Sequence, residues 1–141
     1  MTAYLLDVNV LIALAWPGHR FHAVAQGWFN RNAVKGWATC PLVQAGFVRI
    51  VSNPAFSTRS VSVQEAIQAL STSLKHPRHR FWADDIPITD GLAEVVNKIQ
   101  GHQQVTDAYL LSLAMKNKGK LATLDTKIAV LGPKEAVELI R

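Results

Sequence analysis

The sequence predicts an α/β protein: a three-layer α/β/α sandwich around a parallel sheet of about five strands. Two observations carry this. Short apolar runs of strand length alternate with amphipathic stretches of helical spacing, the pattern of strands joined by helical crossovers. The chain also has 141 residues, 49% of them hydrophobic and 18% charged, enough to bury a core as one domain, residues 1–141.

The first strand reads as Ala3 to Leu6, followed at once by Asp7 and a helix from Val8 to Leu14 that Trp16-Pro17-Gly18 stops. A second helix runs from about His22 to Asn32 with Val24, Trp28 and Phe29 inward. Gly36 to Cys40 is a short buried strand, and Pro41 opens the next helix as a first-turn proline. That helix carries Leu42, Phe47, Val48 and Val51 and ends at Ser52-Asn53-Pro54. After a polar loop, Val63 to Leu74 is amphipathic, with Ala66, Ile67, Leu70 and Leu74 at helical spacing. Arg80 to Ala83 is the third strand. Thr89-Asp90 then caps a helix through Asn97. Thr106-Asp107 starts a stronger helix that ends near Lys118-Gly119. Lys120 to Thr123 is the fourth strand, followed by Leu124-Asp125, a short helix and a final strand from Ala136 to Ile140.

Composition narrows the function. Fifteen Lys and Arg against ten Asp and Glu leave a net charge of +5, compatible with a polyanionic partner such as nucleic acid. Cys40 is the single cysteine, which excludes an intrachain disulfide and a cysteine-built zinc site; it reads as a small buried apolar residue. His19 and His22 lack a third ligand for zinc. Asp7 and Asn9 interrupt the opening apolar run and no basic segment precedes it, which argues against a signal peptide. No apolar stretch reaches the roughly 18 residues of a membrane span. The expectation is a soluble cytoplasmic protein with no membrane association.

Asp7 directly follows the first strand and Asp125 the fourth. Open parallel sheets bind ligands beyond the carboxyl ends of their strands, where strand order reverses. If strands one and four are neighbours, these two acids meet there, and Asp107 approaches from the helix leading into strand four. Three converging carboxylates repel one another unless a cation sits between them, and hard oxygen ligands suit Mg²⁺ or Mn²⁺. Helix capping is the simpler role for each acid alone, contributing roughly 0.5–2 kcal/mol. Capping does not explain why the acids gather at one end of the sheet.

Four segments resemble the blocks of a PIN-domain protein, most closely the VapC-type toxins of bacterial toxin–antitoxin pairs. They are Leu5-Leu6-Asp7-Val8-Asn9-Val10-Leu11-Ile12, Cys40-Pro41-Leu42-Val43-Gln44-Ala45-Gly46-Phe47-Val48-Arg49, Val105-Thr106-Asp107-Ala108-Tyr109-Leu110 and Ala122-Thr123-Leu124-Asp125. The resemblance implies a Mg²⁺- or Mn²⁺-dependent endoribonuclease that leaves 5′-phosphate and 3′-hydroxyl ends. It also implies a homodimer and neutralisation by a cognate VapB-type antitoxin. Carried over by position, Asp7, Asp107 and Asp125 match three acidic metal ligands. The fourth catalytic position, usually Glu, is Gln44 here, so one negative charge is missing. Glu65 and Glu94 lie outside the matching blocks and are poor substitutes.

Asn9, Arg49 and Thr123 are candidates for substrate contact, against plain roles as first-turn, solvated-helix and strand residues. Thr106 reads as the cap of its helix. The basic run Lys75-His76-Pro77-Arg78-His79-Arg80 is either a phosphate-steering loop or a solvated one. Two other classes compete with the nuclease. One is a catalytically weakened PIN module that binds RNA or antitoxin without efficient cleavage, the reading that Gln44 favours. The other is an aspartyl-nucleophile phosphatase, which wants a second acid where Asn9 stands.

Overall fold

The computed structural model describes residues 2–141. Five strands form one parallel sheet in the order β3-β2-β1-β4-β5: β1 is Tyr4–Leu6, β2 Trp37–Thr39, β3 His79–Phe81, β4 Lys120–Thr123 and β5 Val137–Leu139. In register, Leu5 lies between Ala38 and Leu121, and Thr39 pairs with Phe81. β1 and β2 are wholly buried and β4 nearly so, while β3 and β5 are more open. This is why the central strands read as unbroken apolar runs: a parallel sheet is covered on both faces.

The helices are α1 Val8–Ala15, α2 His22–Asn32, α3 Pro41–Val51, α4 Val63–Leu74, α5 Ile88–Ala93 and α6 Val105–Lys116. α1 packs on α2, α3 and α4, whereas α5 packs on α6, which lies against β1 and β4. With the right-handed connections that parallel strands require, these two groups cover opposite faces and give the expected three layers. Leu5, Leu6, Leu11, Phe47, Leu111 and Leu121 are among the fully buried side chains that join the layers. From β1 the chain builds β2 and β3 on one side, then crosses back to place β4 on the other side of β1. The reversal puts the topological switch point between β1 and β4. Among the described residues no helix is long and apolar enough to cross a membrane.

Four boundaries depart from the sequence expectation. The third strand is His79–Phe81 rather than Arg80 to Ala83, because pairing with β2 aligns Trp37 with His79 and Trp82 N–H closes the ladder on Thr39 O (2.9 Å). Pro87 occupies the cap position of α5, so Thr89 and Asp90 lie inside its first turn, and a separate 3-10 turn covers Val96–Lys98. α6 starts at Val105 after a 3-10 turn at His102–Gln104, which makes Thr106 a first-turn residue and not a cap. Two 3-10 turns, Ile128–Val130 and Lys134–Ala136, stand where one short helix was expected before β5. Val24, expected inward, is exposed, as are Leu42 and Ile67 of the apolar sets of α3 and α4. α2 buries Ala25 and Trp28, and α4 buries Ala66 and Leu70, which turns Val24 and Ile67 about a quarter of a circle away.

Candidate active site

β1 and β4 deliver Asp7 and Asp125 to adjacent positions at the carboxyl edge of the sheet, and Asp7 N–H bonds Ala122 O (3.0 Å) across the pair. Asp7 occupies the N-cap position of α1, yet its side chain makes no capping hydrogen bond. It is 3% exposed. Its Oδ2 instead accepts from the Thr123 hydroxyl (3.0 Å). Thr123 Oγ1 in turn accepts from Asp125 N–H (3.0 Å), and Asp125 Oδ1 accepts from Lys127 N–H (2.9 Å). A hydrogen-bonded string thus runs from Asp7 to Lys127, with Thr123 as the buried link.

Asp107, the third residue of α6, faces the other two. Burial, followed by the negative charges of Asp7 and Asp125, pushes its pKa up to about 7. Burial also raises the pKa of Asp7; the Thr123 hydrogen bond opposes this and the Asp125 charge adds to it. Among the described residues no ion pair involves these acids. The two ion pairs among the described residues, Arg59–Glu65 and Lys116–Asp85, lie elsewhere. Asp7 and Asp107, with Thr106 beside them, line a cleft of about 260 Å³ whose opposite wall is α3 and whose mouth carries Arg49.

The donor set and its electrostatics fit a hard divalent cation. The carboxylates do not close a cage: among the described residues no three His, Cys, Asp or Glu side chains come close enough to hold an ion together. Asp125 is exposed at the rim, its Oδ1 tied into a turn by Lys127 N–H. Mg²⁺ keeps several waters and needs only one or two direct carboxylates, so an open site of this kind suits it.

The other expected site residues divide. Thr123 is in place, holding Asp7, and Arg49 lines the cleft. Asn9 is exposed in the first turn of α1 and is not part of the cleft wall. Gln44 lines a separate groove between α3 and α4, where its Nε2 donates to Thr39 Oγ1 (3.0 Å). One residue round the helix from Ala45, it presents its amide to β2 and not to the acids. Glu65 belongs to the capping box of α4 with Ser62. Glu94 borders a hollow beside α5.

In the basic run, His76 Nδ1 accepts from Trp37 Nε1 (3.1 Å) and Arg78 N–H (3.0 Å), and the His79 ring packs on Trp37. Its histidines are structural. Asp84 was not anticipated: its Oδ2 accepts from Leu42 N–H (2.9 Å) and caps α3. The signal was Cys40, a poor cap residue at the start of a helix. Cys40 itself is buried, and its thiol is pushed up to about 12 by that burial.

The PIN domain family model matches residues 4–132. Ribonuclease VapC39 of Mycobacterium tuberculosis H37Rv is 43% identical over 140 residues, spanning 99% of this chain and all of the relative. Ribonuclease VapC38 of the same organism is 44% identical across 96% of each chain. In fold, the chain is similar to the crystal structure of M. tuberculosis VapC20, a sarcin-ricin loop cleaving toxin (TM-score 0.72, 13% identity, 98% of this chain and 99% of that one). It is also similar to VapBC2 from Rickettsia felis, crystallised with a DNA fragment from the promoter (TM-score 0.70, 17% identity, 99% and 100%). The family match over most of the chain and the full-length relatives agree, and the chain belongs to the PIN-domain family, in its VapC branch.

Proposed function

We propose that this protein is a metal-dependent endoribonuclease, the toxin of a VapBC-type pair, acting in the cytoplasm. The observation that carries the reading is the pair of carboxylates in the cleft at the switch point, Asp7 almost wholly buried and Asp107 half-buried, with Asp125 exposed beside them and no ion pair to any of the three among the described residues. A fold that stabilises the site by capping alone has no use for such repulsion.

Asp7 and Asp107 would hold the ion, with Asp125 reaching it directly or through water, and Mg²⁺ is the cellular choice with Mn²⁺ as a substitute. The ion, when bound, would supply a positive charge that polarises a phosphate oxygen and acidifies the attacking water. Thr123 fixes which oxygen of Asp7 faces inward by donating to Oδ2. Arg49 draws the phosphodiester backbone to the cleft mouth, where a guanidinium makes charge-assisted bonds to phosphate. Attack by water on phosphorus that breaks the P–O3′ bond, the 3′ oxygen leaving and taking up a proton, gives a 5′-phosphate and a 3′-hydroxyl and does not use the ribose 2′-hydroxyl. A cognate VapB-type antitoxin and a homodimer complete the proposal.

The weakened-module alternative rests on the negative charge missing at position 44, and the Gln44 amide, which donates to Thr39, does not replace that charge. Cleavage of a panel of structured RNAs in Mg²⁺ and Mn²⁺ tests both. The wild type cuts, Asp7→Asn and chelator abolish cutting, and Gln44→Glu leaves the rate within a few-fold. A silent wild type rescued by Gln44→Glu would reinstate the binding module.

A further inference from the structure

A second hollow, of about 360 Å³, is bounded by Gln100, Gly101, His102, Gln103, Gln104 and Lys127. Its volume is within the range of about 300–1,000 Å³ common to small-molecule sites. Its chemistry is unusual for a pocket: no wall residue is aliphatic or a plain aromatic. Three glutamines, a histidine and a lysine line it, with Gly101. The carboxamides of Gln100 and Gln103 each carry a donor and an acceptor in one plane, the arrangement that nucleobase edges present, whereas the Gln104 oxygen is taken up by Gln100 N–H.

The position of the hollow is as informative as its lining. One wall is the loop leaving β4, where Lys127 N–H holds Asp125 Oδ1 (2.9 Å). The other is the segment entering α6, three residues before Asp107. The hollow therefore borders the loop that carries Asp125 and the entry to the helix that carries Asp107. Arg49 stands across the acids, at the α3 side of the cleft. A strand lying over the acids would have a cationic clamp on one flank and this hollow on the other.

The wall is also built before any ligand arrives. Gln104 is 9% exposed, and its Oε1 accepts from Gln100 N–H (2.8 Å) while its N–H bonds Gly101 O (3.1 Å). These bonds close residues 100–104 into a fixed loop and leave His102 and Gln103 exposed on it. Lys127 is exposed and forms no ion pair among the described residues.

We propose that this hollow is a nucleotide subsite. It takes the nucleotide next to the cleaved phosphodiester, with Lys127 on a phosphate and the amides reading the base edge. Single-stranded RNA is read in this way, through unstacked bases hydrogen-bonded at their edges. Adenine is the preferred base, since a glutamine amide pairs with it through two bonds. The proposal rests on the ribonuclease reading for its biological sense, but its test does not.

The test is titration of AMP, GMP, CMP and UMP into ¹⁵N-labelled protein in chelator, following the backbone and side-chain amide resonances of residues 100–104 and 127. AMP shifts these resonances at lower concentration than the pyrimidine nucleotides. Gln103→Ala and Lys127→Ala, both at exposed positions, each weaken AMP by about tenfold with the rest of the spectrum unchanged. Shifts confined to other parts of the protein, no shifts at millimolar nucleotide, or variants that bind like wild type would overturn the subsite. A randomised RNA pool cut in Mg²⁺ and sequenced at its new ends provides the second readout. Gln103→Ala flattens the base preference at one position beside the cut; an unaltered preference would also overturn the subsite. AMP binding without RNA cleavage by wild type would refute the ribonuclease and leave the subsite standing. Cleavage without AMP binding would do the reverse.

Discussion

Neutralising Asp107 should make the metal-free protein more stable and inactive at once. The Asp107 pKa, raised from 3.8 to about 7 by burial and then by Asp7 and Asp125, lies above the value of an unfolded aspartate. The stability linked to its proton is fully present below about pH 4 and is lost as pH rises through 7. For a wholly enclosed group that difference would correspond to about 4 kcal/mol. Asp107 opens onto the cleft, and solvent screening reduces the effect to about 1–2 kcal/mol. Losing a negative charge in the first turn of α6 subtracts about 0.3–1 kcal/mol from the gain. Asp107→Asn should therefore raise the melting temperature by about 2–5 °C at pH 8 in chelator, given a few degrees per kcal/mol for a domain of this size. At pH 4, where most of the wild-type carboxyl is protonated, the advantage disappears. Millimolar Mg²⁺ should stabilise wild type through binding to the folded state and the variant much less. Calorimetry at the two pH values, with and without Mg²⁺, reads all three quantities. A variant that melts below wild type at pH 8 in chelator would refute the reasoning, because the carboxylate would then be serving α6 as a dipole partner and not straining a metal site.

Two further substitutions probe the support of the site and a part of the fold remote from it. Thr123→Val removes the donor to Asp7 and the acceptor for Asp125 N–H, costing about 1–3 kcal/mol. It should also weaken Mg²⁺ about tenfold or more, measured as the midpoint of metal-dependent thermal stabilisation. Lys118 has φ 58° after α6, with its N–H on Met115 O (3.0 Å) and Gly119 N–H on Ala114 O (2.8 Å), a helix stop that favours glycine at the left-handed position. Lys118→Gly should stabilise the fold by about 1 kcal/mol in urea denaturation without altering RNA cleavage.

Local signals and tertiary ones were separable along this chain. The strands were legible because a sheet covered on both faces demands unbroken apolar runs, as in Tyr4–Leu6 and Leu121–Thr123. α2 and α4 were legible to the residue, since a polar loop and a turn bound them. Boundaries failed where a neighbour sets them: the register of β3 comes from β2, and the start of α6 from the 3-10 turn before it. Outward Val24 and Ile67 show the same limit, since a helical period gives the spacing of a face and not its exact rotation.

At the site, the acids' positions after strands one and four were in the sequence, as was the resemblance that joined them. Sequence could not say whether those acids cap helices or face one another. Burial and strand order decide that, and they depend on contacts such as Thr123 to Asp7, 116 residues apart. The role of Gln44 was likewise out of reach, because α3's rotation, set by Val43, Phe47 and Val51 in the core, turns its amide to Thr39. Residue chemistry is carried by the chain itself; which groups share a solvent-poor space is set only when the layers pack.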